Sequence, residues 1–100
     1  MKYEYITKME NILNEHEEKL SQLKEILTYL EENFENYSEL NEYYYSDQRH
    51  QDLLDDESGL IPDDLNRGVL SEDGIYNLMA DYYDATVQML ELSTKFIKNH

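Results

Sequence analysis

Residues 62–73 read Pro62-Asp63-Asp64-Leu65-Asn66-Arg67-Gly68-Val69-Leu70-Ser71-Glu72-Asp73, a stop-and-start signal between two helical pieces. Pro62 has the fixed φ that suits the first position of a helical turn, and Gly68 suits a left-handed position that closes one. Ser71 reads as a helix N-cap. Glu72 and Asp73 put negative charge in the positively polarised first turn, and Leu70 before the cap can staple to Ile75. A helix is therefore expected from about residue 72 to 98. Its heptad spacing runs Ile75, Leu78, Tyr82, Ala85, Met89, Leu92, Phe96, flanked by Met79, Leu90 and Ile97.

Upstream, the apolar positions step by three and four from Ile6 through Met9, Leu13, His16, Leu20, Leu23, Leu27, Leu30, Phe34 and Tyr37, with no Gly or Pro before Gly59. This is a heptad seam, and Ile12, Ile26 and Leu40 widen it on one flank. A wide stripe belongs to a bundle with more than one neighbour. The spacing predicts a helix over about 3–45, roughly 65 Å long at 1.5 Å per residue, with Asn33 and Asn36 as its weak point. Ser46 can cap a short helix over about 47–57 that ends at Gly59. The whole reads as a single all-α domain, 1–100. It is an antiparallel hairpin of two long helices, with a short helix and an acidic loop segment, 58–70, packed between them by Leu60, Ile61, Leu65, Val69 and Leu70.

Together with Tyr43-Tyr44-Tyr45-Ser46-Asp47 and Asp55-Asp56-Glu57-Ser58-Gly59, the stretch ending Arg67-Gly68-Val69-Leu70-Ser71-Glu72-Asp73 resembles a family of small bacterial proteins known as domain of unknown function 4298. The resemblance runs through the acidic middle into the last helix, and residues 1–40 match as generic helix. It implies a helical fold and a bacterial source, and it carries no activity to transfer.

The net charge is −15, and residues 31–73 hold −12 of it, fourteen acids against two bases. Such a field repels nucleic-acid phosphates and anionic lipid, so neither nucleic acid nor membrane is expected as a direct partner. A charged partner should be basic, although acidic surfaces also serve solubility alone. The absence of cysteine rules out disulfides and thiolate metal sites and suits the cytoplasm. The first residues lack an apolar signal core, and no apolar run is long enough to span a bilayer.

Catalysis finds little footing. The carboxylates Asp52, Asp55, Asp56, Glu57, Asp63 and Asp64 do not fit the alternating pattern of a calcium loop, since Leu54 and Gly59 fall at the wrong offsets. His16 lies in the seam, and His50 lies one turn from Asp47; both read as structural, with no second metal ligand nearby. The serines lack an adjacent His-and-acid arrangement, and there is no glycine-rich phosphate loop. Neither metal nor cofactor is expected. Arg67 should pair with Asp63, Asp64 or Asp73.

Ten tyrosines and no tryptophan make an unusual aromatic complement. Tyr43, Tyr44 and Tyr45 sweep about 200° around a helix, so they cannot all face one core. Tyrosine is enriched at interfaces because it buries a large ring while keeping a hydroxyl. The expected function is a small, acidic, non-enzymatic protein-binding module of the inhibitor, immunity or nucleic-acid-mimic type. Tyr43, Tyr44, Tyr45, Asp52, Asp55, Asp56, Glu57, Asp63 and Asp64 would occlude a basic surface on a partner such as a nucleic-acid-binding protein or a toxin. The alternative is a self-associating helical bundle, for instance a homodimer, whose charge serves only solubility. An enzyme built on His50, carboxylates and a metal is a distant third.

Overall fold

A computed structural model describes residues 2–100, and among them every regular element is helical. The α-helices are α1 (Glu4–Glu32), α2 (Phe34–Tyr44), α3 (Asp47–Glu57) and α4 (Gly74–Lys98), and a short 3₁₀ turn spans Gly68–Leu70. The all-α class read from the sequence is the observed one. Internal packing divides the chain into two compact units, one up to Tyr37 and one from Ser38 to His100.

The first unit is dominated by α1, whose run of Leu, Glu and Lys contains no helix breaker. The expected single helix over 3–45 is in fact interrupted at Asn33, which has left the helical region at φ −106°, ψ 14°. The reason is local competition. The Asn33 side-chain amide donates to the Tyr29 carbonyl at 2.9 Å, the same oxygen that its backbone N–H reaches, and the Asn36 amide donates to Asn33 Oδ1 at 3.0 Å. Short polar side chains of this kind offer the backbone an alternative to the helical ladder.

In the second unit, Ser46 holds an extended conformation, and its Oγ accepts the Arg49 N–H at 3.1 Å, which starts α3. The helix stops in a Schellman arrangement: Gly59 N–H reaches the Asp56 carbonyl at 3.1 Å and Leu60 N–H reaches the Asp55 carbonyl at 3.0 Å. Gly59 is the residue with positive φ among those described, at 72°. Gly68 therefore does not take the left-handed role read for it from the sequence. Its carbonyl instead accepts the Ser71 N–H at 3.2 Å and the Ser71 hydroxyl at 2.7 Å, which closes the 3₁₀ turn.

That turn touches both α3 and α4. Ser71, extended at φ −67°, ψ 155°, receives the Gly74 N–H on its Oγ at 3.0 Å, the hydrogen bond of an N-cap to the third residue on. Regular helix nevertheless begins at Gly74 and not at Glu72, because the backbone ladder first closes from Asn77 N–H to Asp73 O at 2.8 Å. One residue later lies Ile75, 3% exposed, the buried core side chain of the described residues. Ser71→Ala is expected to lose about 1 kcal/mol through the orphaned Gly74 amide. An unchanged chemical-denaturation midpoint would refute the cap.

Candidate partner-binding surface

The corner between α2 and α3 is a reverse turn in which Ser46 N–H and Oγ both reach the Tyr43 carbonyl, at 3.0 and 2.6 Å. By folding the chain back, this corner brings Tyr43 against Asp52, a pairing nine residues apart that no helical period supplies. The Tyr43 hydroxyl donates to Asp52 Oδ2 at 2.6 Å, and the Gln48 amide donates to Oδ1 at 2.8 Å. Burial first, and then the bond to a carboxylate, push the Tyr43 phenol up to about 12. The same hydroxyl, followed by the Gln48 amide, holds the Asp52 carboxyl below its usual range. Tyr43 and Asp52 thus face each other and line, with Leu60, Pro62, Leu65 and Arg67, an open concavity of about 320 Å³.

The proton balance gives a testable sign. The folded Tyr43 value lies above the value of about 10 for an unconstrained phenol. The bond's contribution to stability is therefore whole below about pH 10 and disappears as the pH climbs toward 12. In a tyrosinate absorbance titration of the folded chain, Tyr43→Phe should remove a late step near pH 12. A titration curve whose late portion is unchanged would contradict the pairing.

The other candidate residues separate into inward and outward groups. Tyr44 is half-buried: the Arg49 guanidinium lies 4.7 Å from its ring centre, and the Tyr45 ring meets it edge-on at 4.9 Å. Tyr45 itself is 76% exposed. Asp55 accepts from the Gln51 amide at 2.9 Å. Asp56 pairs with Arg67 at 2.6 Å, so the expectation that Arg67 pairs with Asp63, Asp64 or Asp73 is corrected: the guanidinium reaches back to the last turn of α3. Glu57, Asp63 and Asp64 are exposed. The nine residues therefore do not form one outward-facing set, since Tyr43, Tyr44, Asp52, Asp55 and Asp56 all have partners within the fold.

The side chain missed by sequence reasoning is Arg49. Its Nε donates to the Val69 carbonyl at 3.1 Å and its Nη2 to the Ser71 carbonyl at 3.2 Å, which straps α3 to the turn that starts α4. Carbonyls twenty and twenty-two residues away leave no trace in local spacing. The one available signal was a base, one of two in the acidic stretch, close to a tyrosine run. His50 is exposed, and the His16 Nδ1 lies 2.9 Å from the Ile12 carbonyl, a bond within its own helix. Among the described residues no three His, Asp or Glu side chains stand together as a metal-binding group, and no helix is long and apolar enough to cross a membrane.

The fold and this surface describe an all-helical protein with an internally braced acidic corner. The chain belongs to the family described as a domain of unknown function, DUF4298, which matches residues 6–92 and so includes α1 as well as the acidic middle. No curated protein and no solved structure matches it.

Proposed function

We propose that this chain is a non-enzymatic protein-binding module of the cytoplasm that works by burying helix faces against another helical surface, without a cofactor. The observation that carries the reading is the exposure of the heptad stripes. The apolar side chains of α1 from Ile6 to Leu27 are 42–55% exposed, and Phe96 near the end of α4 is 67% exposed, while Ile75 is the buried core residue. Contiguous apolar surface at helical spacing marks an interaction face. No residue of α1 is buried, and tertiary packing of an amphipathic face is the source of most helical stability in proteins.

The test is a comparison of wild-type chain with a Leu13→Asp, Leu27→Asp variant, using light scattering over a range of concentrations and capture from the source cell. A species held by the wild type and lost by the variant supports the reading. A monomer that retains nothing the variant does not also retain overturns it.

A second reading, in which the acidic segment occludes a basic surface, is favoured by the unspent carboxylates Glu57, Asp63 and Asp64 and by the exposed ring of Tyr45. Its mechanism is steric and electrostatic competition for a basic partner such as a nucleic-acid-binding protein or a toxin. Amide replacement of those three carboxylates, leaving Asp56 with Arg67, should slow association with the partner and flatten its salt dependence. Equal rates and an unchanged salt response would exclude it.

A further inference from the structure

The seam of α1 does not by itself say what covers it, but its flanks discriminate between occupants. Along the seam from Ile6 to Leu30, one flank carries Ile12, Lys19 and Ile26, and the other carries Glu10, Glu17 and Lys24. In a parallel in-register pair of such helices, each flank residue meets one on the opposite flank of the other helix, five positions on. Lys19 would then face Lys24, and Ile12 would face Glu17. None of these contacts is favourable.

In an antiparallel pair, each flank instead meets the same flank of the other copy. With Leu13 facing Leu23 and Met9 facing Leu27 across the seam, Ile12 meets Ile26 and Glu10 meets Lys24, and each contact is made twice by symmetry. Moving the register by one heptad sets Lys19 against Ile26 in one direction, and against Ile12 in the other. In each case Glu10 then faces another glutamate. Only the register centred on Glu18 pairs both apolar flank residues with each other and both opposite charges. Its cost is that Glu17 and Lys19 meet their own copies near the axis, at the solvent edge where like charges are screened.

The area is also sufficient. Eight apolar side chains of α1, from Ile6 to Leu27, are 42–55% exposed. Together they present on the order of 800 Å² per copy, one partner's share of a stable interface. We therefore infer that α1 pairs antiparallel with α1 of a second copy of this chain, about a two-fold axis at Glu18. This rests on the protein-binding reading above and names the partner for that face.

The full chain has no cysteine, so single Cys variants take a nitroxide label cleanly. Labels on Glu31→Cys should lie about 40 Å apart between copies, thirteen residues either side of the axis at 1.5 Å per residue. Labels on Glu17→Cys should lie within about half that distance, close to the two-fold axis. Lys24→Glu should weaken self-association several-fold by sedimentation, and Glu10→Lys combined with Lys24→Glu should restore it. In the parallel arrangement Lys24→Glu would strengthen association instead, since it faces Lys19. A dimer with close labels at position 31, or one strengthened or unaffected by Lys24→Glu, overturns the antiparallel pairing and leaves the protein-binding reading standing. A wild-type chain that stays monomeric up to millimolar concentration also overturns the pairing, and the capture experiment above then decides the broader reading separately.

Discussion

Ile75→Ala is expected to destabilise the second unit by about 2–5 kcal/mol, toward the lower end of that range. At 3% exposure Ile75 is the described residue most removed from water, and it sits one position after the amide that Ser71 caps. Removing its outer carbons forfeits their transfer energy and leaves a void beside the open groove lined by Leu40, Val69 and Leu78. Leu40 is part-buried and Val69 and Leu78 are exposed, so these neighbours have room to close in, which argues for the lower figure. Ile75→Val should cost about 0.5–1.5 kcal/mol by the same logic. Urea unfolding followed by circular dichroism reads both. If the Ala variant unfolds at the wild-type midpoint, the core of this unit lies elsewhere.

The helical class was legible because the seam, the caps and the lack of early breakers all point the same way, which is what local and global agreement looks like in a sequence. Ser46 and Ser71 both supply the capping bonds their positions promised. The errors share one cause. Asn33 was readable as a weakness, but whether it bends or breaks a helix depends on the competition for the Tyr29 carbonyl. Gly59 was read as the end of α3 and makes that left-handed turn, but Gly68 was credited with a second one, and the 3₁₀ turn closed by Ser71 on the Gly68 carbonyl takes its place.

The candidate surface was legible by composition and not by arrangement. Tyrosines and carboxylates stand out in the sequence as residues needing a destination. Which of them are consumed inside the fold is set by contacts across the Ser46 corner and back from Arg67 to Asp56, at separations of nine and eleven residues. The same limit applies to the seam of α1. A heptad stripe specifies that a face must be covered, and only its flanking residues carry information about the partner.

Gly74→Ala tests the one glycine whose Cβ would meet a close neighbour, and it should run against helix propensity. In an unencumbered helix, exchanging Gly for Ala stabilises by up to about 1 kcal/mol. Here a Cβ at residue 74 would stand 2.6 Å from the Gly68 carbonyl oxygen and 2.6 Å from Ser71 Oγ, closer than carbon–oxygen contacts permit. The serine can rotate away, but doing so surrenders its hydrogen bond to the Gly74 amide, worth about 1 kcal/mol. The Gly68 oxygen cannot rotate, because it belongs to the backbone of the 3₁₀ turn and already accepts from Ser71. The turn must therefore shift, and with it the Val69 and Ser71 carbonyls that Arg49 grips. Overpacking costs of about 1–3 kcal/mol, added to the lost cap, exceed the propensity gain. A net loss of about 1–3 kcal/mol is expected. Ser71→Ala in the same chain should recover little of it, since the clash with the Gly68 oxygen remains. Thermal unfolding of the single and double variants measures this directly. A Gly74→Ala chain more stable than wild type would mean that the 3₁₀ turn yields freely and that the strap from Arg49 does not hold it.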